Sequence, residues 1–150
     1  MHTPEFIGQD LYKRILELVP IACVDVAIVS GGKVLLVNRK DDPAKGQWWV
    51  PGGRVRKGET LKQAARRKAL EEVGIACHVG PIIHTAETIF PDGPYGVAIH
   101  SINTCFFLYP ESTAADCHLD DHHADAKWVD TIDTDLHSYV RHCLIGAGLK

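Results

Sequence analysis

The chain has 150 residues, 45% apolar and 23% charged, which is enough for one well-filled core and too short for two ordinary domains. Its net charge is −3 with histidine neutral, and the basic residues are spread out without an arm or stripe, which argues against a nucleic-acid partner. No apolar run approaches the roughly 20 residues that cross a bilayer, and no signal-peptide pattern opens the chain, so we expect a single cytoplasmic domain over residues 1–150 with no membrane partner.

Amphipathic helices are predicted near both ends of the chain. Thr3-Pro4 combines an N-cap residue with proline at the first helical position, and apolar residues follow at helical spacing until the segment ends near Pro20. A last helix is expected to begin near Thr134 and to continue to Leu144.

Strand-like runs outnumber helical ones between these two helices. Residues 21–30 and 33–39 are β-rich and are separated by Gly31-Gly32, a dipeptide that tolerates the positive φ angles of a tight hairpin turn. Further strand-like runs lie at 48–50, in parts of 76–90, at 96–109 and at 126–129. The order favours an α/β protein with helices packed on the faces of a mixed sheet over a doubly wound parallel sheet.

A third helix is predicted in the stretch GGRVRKGETLKQAARRKALEEVGI, residues 52–75. Thr60 and Gln63 form a capping-box pattern, and Gly74 lies where a C-terminal cap is expected, so residues 61–73 should be helical. At about 100° per residue, the apolar positions that should form one stripe facing the core are Leu61, Ala65, Ala69 and Val73.

Glu72 lies at the margin of this apolar stripe, with Lys68 just beyond it. A carboxylate at the edge of a buried face is costly unless it is paired or coordinates a cation. Two interpretations follow for Glu71 and Glu72. They are surface charges paired with Arg67 and Lys68, or they belong to a cation site beside the glycine-rich turn and Glu59. Negative charge at a helix C-terminus opposes the macrodipole, which favours the second interpretation.

The spacing of these residues resembles the signature of the Nudix hydrolases, G-x5-E-x7-R-E-U-x-E-E-x-G-U, where U is a bulky apolar residue. The matching positions are Gly53, Glu59, Arg67, Glu71, Glu72, Gly74 and Ile75. The chain departs from it at Lys68, which stands where the signature has a Glu, and Ala69 is small for its bulky position. The resemblance implies an α/β/α sandwich with a mixed β-sheet, a small nucleotide substrate and a divalent cation, Mg²⁺ with Mn²⁺ as the alternative ion.

The departure at Lys68 leaves three alternatives. In typical members the missing Glu belongs to the metal cluster or serves as general base. The chain could bind nucleotides without turnover, cleave a pyrophosphate with a reduced metal set, or use a base located elsewhere.

The third alternative is supported by a second resemblance. Residues 18–75 and the segment LDDHHADAKWV, residues 119–129, are similar to the GDP-mannose mannosyl hydrolases, a branch that also lacks this Glu. In that branch water attacks the anomeric carbon and releases the nucleoside diphosphate. The resemblance implies His123 as the general base, for which an ordinary pKa near 6.5 is suitable, and it also implies a homodimer.

The same resemblance assigns the remaining site residues. The implied metal ligands are the backbone carbonyl of Gly52, Glu72, His122 and, through a water, Glu71. Arg39 and Arg54 match phosphate-contacting positions, where they would bind substrate and assist catalysis by stabilising the leaving group. Arg67 is expected to orient Glu59 or Glu72 for catalysis. Asp25, which interrupts an apolar strand, would contact the substrate or be satisfied by a polar partner inside the protein.

Several features keep alternative interpretations. The segment around His123 could be an exposed acidic loop, or a zinc site using Cys117, His118, Asp121, His122 and His123. The turn-rich loop at 90–96 could be a lid or an ordinary hairpin loop. Trp48 and Trp49 should point to opposite faces of a strand, with one of them in the core. The five cysteines contain no C-x-x-C pair, and Cys23, Cys77 and Cys105 lie in apolar strand-like runs, which favours a reducing compartment.

Overall fold

The computed structural model of the chain describes residues 6–112 and 123–150. The helices in these ranges are α1 (Gln9–Leu18), α2 (Leu61–Val73) and α3 (Ser138–Gly146), and a 3-10 turn covers Pro94–Gly96. The strands are β1 (Ile21–Ser30), β2 (Lys33–Arg39), β3 (Trp48–Trp49), β4 (Gly52–Arg54), β5 (Cys77–Phe90), β6 (Ile99–Pro110) and β7 (His123–Val129).

Strand β1 organises the sheet. It pairs in parallel with β6, from Ile21 opposite Ser101 to Ile28 opposite Leu108. On its other side, β4 pairs antiparallel with the N-terminal half and β2 with the C-terminal end. The strand order is β3-β2-β1-β6-β5, with β4 beside β1 and β7 beside β2. The sheet is therefore mixed, as the sequence predicts.

Helices cover both faces of this sheet. Val24, Val26 and Ile28 of β1 pack with the alanine-rich face of α2 in one apolar cluster. Ala27, which points to the opposite face, packs in a second cluster with Val140 and other residues of α3. The predicted α/β/α sandwich is confirmed, and the alternation of the β1 side chains explains it.

The local sequence signals for turns and caps are confirmed. Gly31 and Gly32 adopt φ angles of 59° and 75° in the β1–β2 hairpin. The Thr60 hydroxyl accepts the Gln63 amide at 3.1 Å while the Gln63 side chain accepts the Thr60 amide at 2.9 Å. Gly74 ends α2 with φ 70°. These elements were predictable because each one depends on neighbouring residues only.

Two predicted helix boundaries need correction. Helix α1 begins at Gln9, since the backbone is extended at Gly8 (φ −62°, ψ 155°) and the Phe6 side chain is almost fully exposed. The predicted cap at Thr3-Pro4 lies outside the described residues. Helix α3 begins at Ser138, since Asp133 bonds the amide of Asp135 and closes a local turn instead.

Two further details differ from the sequence prediction. Leu61 was expected to face the core but is 40% exposed, at the first residue of α2. The glycine-rich turn contains a short strand, β4, that the sequence did not predict. Trp49 is buried in the core, as predicted, and Trp48 is half-buried beside Lys127 and packs partly against the same apolar cluster as Trp49. None of the helices in the described part of the chain is long and apolar enough to cross a membrane.

Candidate functional site

A cavity of about 640 Å³ lies along the α3-facing side of β1, β5 and β6. Asp25, Gly52 and Gly53 line one end of the cavity, where Gly52 and Gly53 lie against Glu72 and Lys68 of α2. Arg39 and Arg54 also line the cavity. The opposite end is lined by polar residues of β5 and β6. The sequence-predicted glycine turn, arginines and buried aspartate are thus brought together in one cavity.

Asp25 is held by the last helix of the chain. Its side chain is 6% exposed, and its Oδ2 accepts a hydrogen bond from the Tyr139 hydroxyl at 2.7 Å. Burial raises the pKa of Asp25 to about 7, the charge of Glu72 adds to this rise, and the Tyr139 hydrogen bond opposes it. Gly52 lies opposite Asp25 across the β1–β4 pair, and a β-carbon at position 52 would collide with the Asp25 carboxyl. Only glycine permits this close approach.

Glu72 and Lys68 form the ion pair that the helix pattern indicates. The Glu72 side chain is buried, its Oε2 accepts the Gly52 amide at 3.1 Å, and its Oε1 lies 2.8 Å from Lys68 Nζ. The Lys68 side chain is 16% exposed and lies against Gly53, where an added β-carbon would meet the lysine Cε at 2.6 Å. The lysine therefore places a fixed positive charge beside Glu72.

The donor groups at this end of the cavity suit a divalent cation. Asp25 and Glu72 are both buried carboxylates; burial raises the pKa of Asp25, the negative charge of Glu72 raises it further, and a cation between them would offset both effects. Any such ion must share Glu72 with Lys68. Within residues 6–112 and 123–150, no three His, Cys, Asp or Glu side chains converge on one point. The predicted ligand His122 lies outside the described residues.

Arg67 does not line the cavity but hydrogen-bonds residues of the loop before α2. Its Nε and Nη2 contact the Glu59 carboxylate at 2.7 and 2.8 Å, its Nη1 contacts Glu71 at 2.9 Å, and its Nη2 also bonds the Arg54 carbonyl at 3.0 Å. Of the two partners expected for Arg67, the structure shows Glu59. Glu71 is half-exposed and is held by Arg67 and Arg56.

Replacing Glu59 with glutamine is expected to lower the free energy of unfolding by about 1–3 kcal/mol, because the partly buried Arg67 loses its bidentate carboxylate. Arg67 lowers the pKa of Glu59 in the folded protein. The difference from wild type should therefore be full above about pH 5 and should shrink as the pH falls through the folded-state pKa. Urea unfolding across this pH range measures the difference in stability.

Glu17→Gln, which breaks an exposed pair with Arg14, is the control and should change stability by less than about 0.5 kcal/mol. An equal loss in both variants would contradict the assignment.

The two predicted phosphate-binding arginines are positioned by separate contacts. Arg39 donates from Nε to the Pro43 carbonyl at 2.8 Å, and Arg54 lies over the Tyr12 ring with 4.5 Å between guanidinium carbon and ring centroid. Both side chains line the cavity. The contacts with Pro43 and Tyr12 restrict their guanidinium groups before a ligand binds.

His123 is the first residue of β7, and its backbone lies opposite Arg39 of β2, where the strand register shifts. The strand pairing therefore brings the chain at position 123 next to a residue that lines the cavity. Its predicted role as general base stays a prediction. The other candidate ligands in this segment, Cys117, His118, Asp121 and His122, lie outside the described residues.

The loop predicted as a lid or hairpin lies at the rim of the cavity, with Gly93, Pro94 and Tyr95 in its lining. The Tyr95 ring meets Tyr12 edge-on, with 6.4 Å between centroids. Residues that the sequence did not single out also line the cavity: Tyr12, Thr88, Ser101 and Asn103. The polar residues at alternate positions of an otherwise apolar strand, Ser101 and Asn103, were the available signal.

Residues 20–141 match the family described as the NUDIX domain. With the sandwich fold and the signature residues of α2, this shows that the chain belongs to the Nudix family, whose hydrolases act on small nucleotide derivatives and generally use divalent metal ions.

Two similar proteins carry names that describe different roles. The low-salt glycan biosynthesis protein Agl8 of Haloferax volcanii is 35% identical over 145 residues, which cover 92% of this chain and 88% of that protein. The ADP-ribose pyrophosphatase of Methanocaldococcus jannaschii is 43% identical over 101 residues, which cover 67% of this chain and 57% of that protein.

Solved structures agree on the fold. The MutT NUDIX hydrolase from Burkholderia pseudomallei superposes with a TM-score of 0.70 at 26% identity and covers 85% of this chain and 98% of its own. The MutT protein from Methanosarcina mazei Go1 gives a TM-score of 0.69 at 26% identity, over 85% of this chain and 93% of its own.

Proposed function

We propose that this chain hydrolyses a nucleoside diphosphate sugar similar to GDP-mannose, with water attacking the anomeric carbon. The products are a nucleoside diphosphate and the free sugar. One observation supports this most strongly. Lys68, bonded to Glu72, places an ammonium group where the family signature has the glutamate that typically serves as metal ligand or base. The signature glutamate that can serve as the base for attack on phosphorus is thereby replaced in α2.

Attack of water at the anomeric carbon requires few catalytic groups from the protein. A nucleoside diphosphate is already a good leaving group, so arginines that stabilise its growing negative charge can replace the acid of an ordinary glycosidase. Arg39 and Arg54, which both line the cavity, are the candidates for this role. One base that takes a proton from water is then sufficient, and His123 is the proposed residue.

A divalent cation completes the proposed site. The Gly52 carbonyl, Glu72 and His122 would hold Mg²⁺ or Mn²⁺ directly, and Glu71 would act through a water because its carboxylate is half-exposed and paired with arginines. When bound, the ion would stabilise charge on the diphosphate. Asp25 would contact the substrate beside it. Residues 1–150 are proposed to form one cytoplasmic domain that assembles as a homodimer.

The names of the relatives support two different reactions. Glycan assembly consumes sugars activated by nucleoside diphosphates, so similarity to a glycan biosynthesis protein over most of the chain favours a nucleotide sugar. Similarity to an ADP-ribose pyrophosphatase favours the alternative, cleavage of the diphosphate itself. A binding module without turnover is a third candidate, because Lys68 also fits a site that has lost catalysis.

The experiment that separates these candidates is hydrolysis of a panel of nucleoside diphosphate sugars with Mg²⁺ in ¹⁸O-labelled water. We expect mass spectrometry to find the label in the free sugar. Label in a phosphate product would instead establish attack on phosphorus. Absence of turnover across the panel, with nucleotide binding retained, would support the binding module.

Replacing Glu72 with glutamine is expected to weaken Mg²⁺ binding by at least about tenfold, since a buried anionic ligand is lost. Glu71→Gln is the matched control. Its carboxylate is half-exposed and paired with Arg67, so a smaller loss is expected. Calorimetric titration with Mg²⁺ measures both. Unchanged affinity in Glu72→Gln would remove this residue from the metal site.

A further inference from the structure

Three polar side chains form a hydrogen-bonded row at the end of the cavity away from α2. Thr88 on β5 and Ser101 and Asn103 on β6 are 6%, 7% and 5% exposed. The Thr88 and Ser101 hydroxyls lie 2.8 Å apart, and the Asn103 amide donates to the Thr88 oxygen at 3.0 Å. We call these three residues the polar row. All three line the cavity.

The hydrogen bonds of the polar row are incomplete. An asparagine amide can make about four hydrogen bonds, and the contacts among described residues account for one made by the Asn103 side chain. Among the described residues, the one fully buried side-chain atom without a hydrogen-bond partner is Arg141 Nε. The Asn103 side-chain oxygen is therefore not fully buried. Because the residue lines the cavity, that accessibility is to the cavity. Water or a polar group of a ligand in the cavity would satisfy this remaining capacity.

The strand register places the polar row next to the phosphate-binding end. Cys105 lies opposite Asp25 and Asn103 lies opposite Cys23 in the parallel β1–β6 pair. Two residues of strand span about 7 Å. Asn103 therefore lies about 7 Å along the strand direction from Asp25, and Ser101 lies about 7 Å beyond Asn103. If the two cavity arginines hold the diphosphate, one of the two groups attached to it, the nucleoside or the sugar, would lie next to these residues.

We propose that the polar row binds hydroxyl groups of the sugar in a nucleoside diphosphate sugar and determines which sugar is accepted. This rests on the proposed function. Two of its members are hydroxyls, which can donate and accept at once, as sugar hydroxyls do. The edge of a nucleobase instead presents fixed donors and acceptors, so the row fits a sugar better. No charged side chain belongs to the row, which also separates it from the phosphate end.

The test pairs Ser101→Ala with substrates that lack single sugar hydroxyls. For the wild type, removing the contacted hydroxyl should lower kcat/KM by about tenfold or more. In Ser101→Ala the same deoxy substrate should lose less than about twofold relative to the intact sugar, because its partner is already gone. Binding of the bare nucleoside diphosphate, measured by titration, should change by less than about twofold in the variant.

Two further variants keep the result interpretable. Thr88→Val preserves shape while removing the central hydroxyl, and it should show the same loss of discrimination. Thr104→Val on β6, whose side chain does not line the cavity, is the control and should keep wild-type discrimination. Undiminished discrimination among sugars in both Ser101→Ala and Thr88→Val would overturn the proposal. So would a loss of discrimination among bases with that among sugars intact.

The proposal can fail independently of the catalytic reaction. If the wild type turns over none of the sugars, titration with intact and deoxy nucleoside diphosphate sugars still measures the contact. An affinity difference between them that disappears in Ser101→Ala would support the polar row as a sugar site in a binding protein. Equal affinities for the nucleotide sugars and the bare nucleoside diphosphate would refute it.

Discussion

Replacing His123 with alanine is expected to lower the turnover of a nucleoside diphosphate sugar by about 10²–10⁴, the usual contribution of a general base. Substrate and Mg²⁺ binding should remain nearly intact, because the base acts on water and not on the bound groups. The strand pairing of His123 with Arg39 places the backbone at this position beside the cavity. The loss should fall on kcat because a general base acts in the chemical step. Steady-state kinetics with separate titrations of nucleotide and metal measure it.

A histidine far from the cavity provides the control for this variant. His78 lies on β5 beside Tyr109, with 5.2 Å between their rings, and does not line the cavity. His78→Ala should keep wild-type turnover. Unchanged turnover in His123→Ala would exclude this residue as the base, and a matching loss of metal binding would assign it to the ligand set instead.

Replacing Lys68 with glutamate is expected to lower stability without increasing turnover. The change removes the ammonium 2.8 Å from the buried Glu72 and adds a carboxylate beside Glu72 and the half-exposed Glu71. Breaking such a pair costs about 3–5 kcal/mol, and Mg²⁺ should restore part of it by neutralising the extra charge. Thermal unfolding with and without Mg²⁺ should therefore show a larger metal-induced rise in Tm than in wild type.

Kinetics of the same variant test where the base lies. If His123 is the base, a carboxylate at position 68 has no proton to take and turnover should not rise. Lys68→Met is the matched control, since it removes the charge while retaining most of the length packed against Gly53. A rise in turnover of about tenfold or more in Lys68→Glu alone would show that the wild-type site is impaired at this position and would favour attack on phosphorus.

Helix α2 and its Lys68–Glu72 ion pair were predictable from the sequence because every signal involved is local. The capping box, the C-terminal glycine and the Lys68–Glu72 pair each join residues within one or two turns. The 3.6-residue period then fixes which side chains meet the sheet. Leu61 lies on the same stripe by this period but is 40% exposed, because the period gives the direction of a side chain and not how closely the neighbouring elements cover it.

The remaining parts of the site depend on contacts that no local pattern contains. The partner of Asp25 is Tyr139, a residue 114 positions away that reads from the sequence as an ordinary apolar position of the last helix. The polar row needs the β5–β6 register, which places Thr88 opposite Ser101. Serine, threonine and asparagine in a strand give no indication of whether they face water, a cavity or the core.

The hydrogen bond from Tyr139 to Asp25 also bears on how the protein matures in the cell. A ribosome makes the chain from its N-terminus, so β1 and the glycine-rich turn emerge long before α3 does. Until residue 139 has left the ribosome, Asp25 lacks its donor and the α3-facing side of the sheet is uncovered. A nascent chain can thus form the signature helix early, yet the cavity is complete only after α3 has emerged and packed on the sheet.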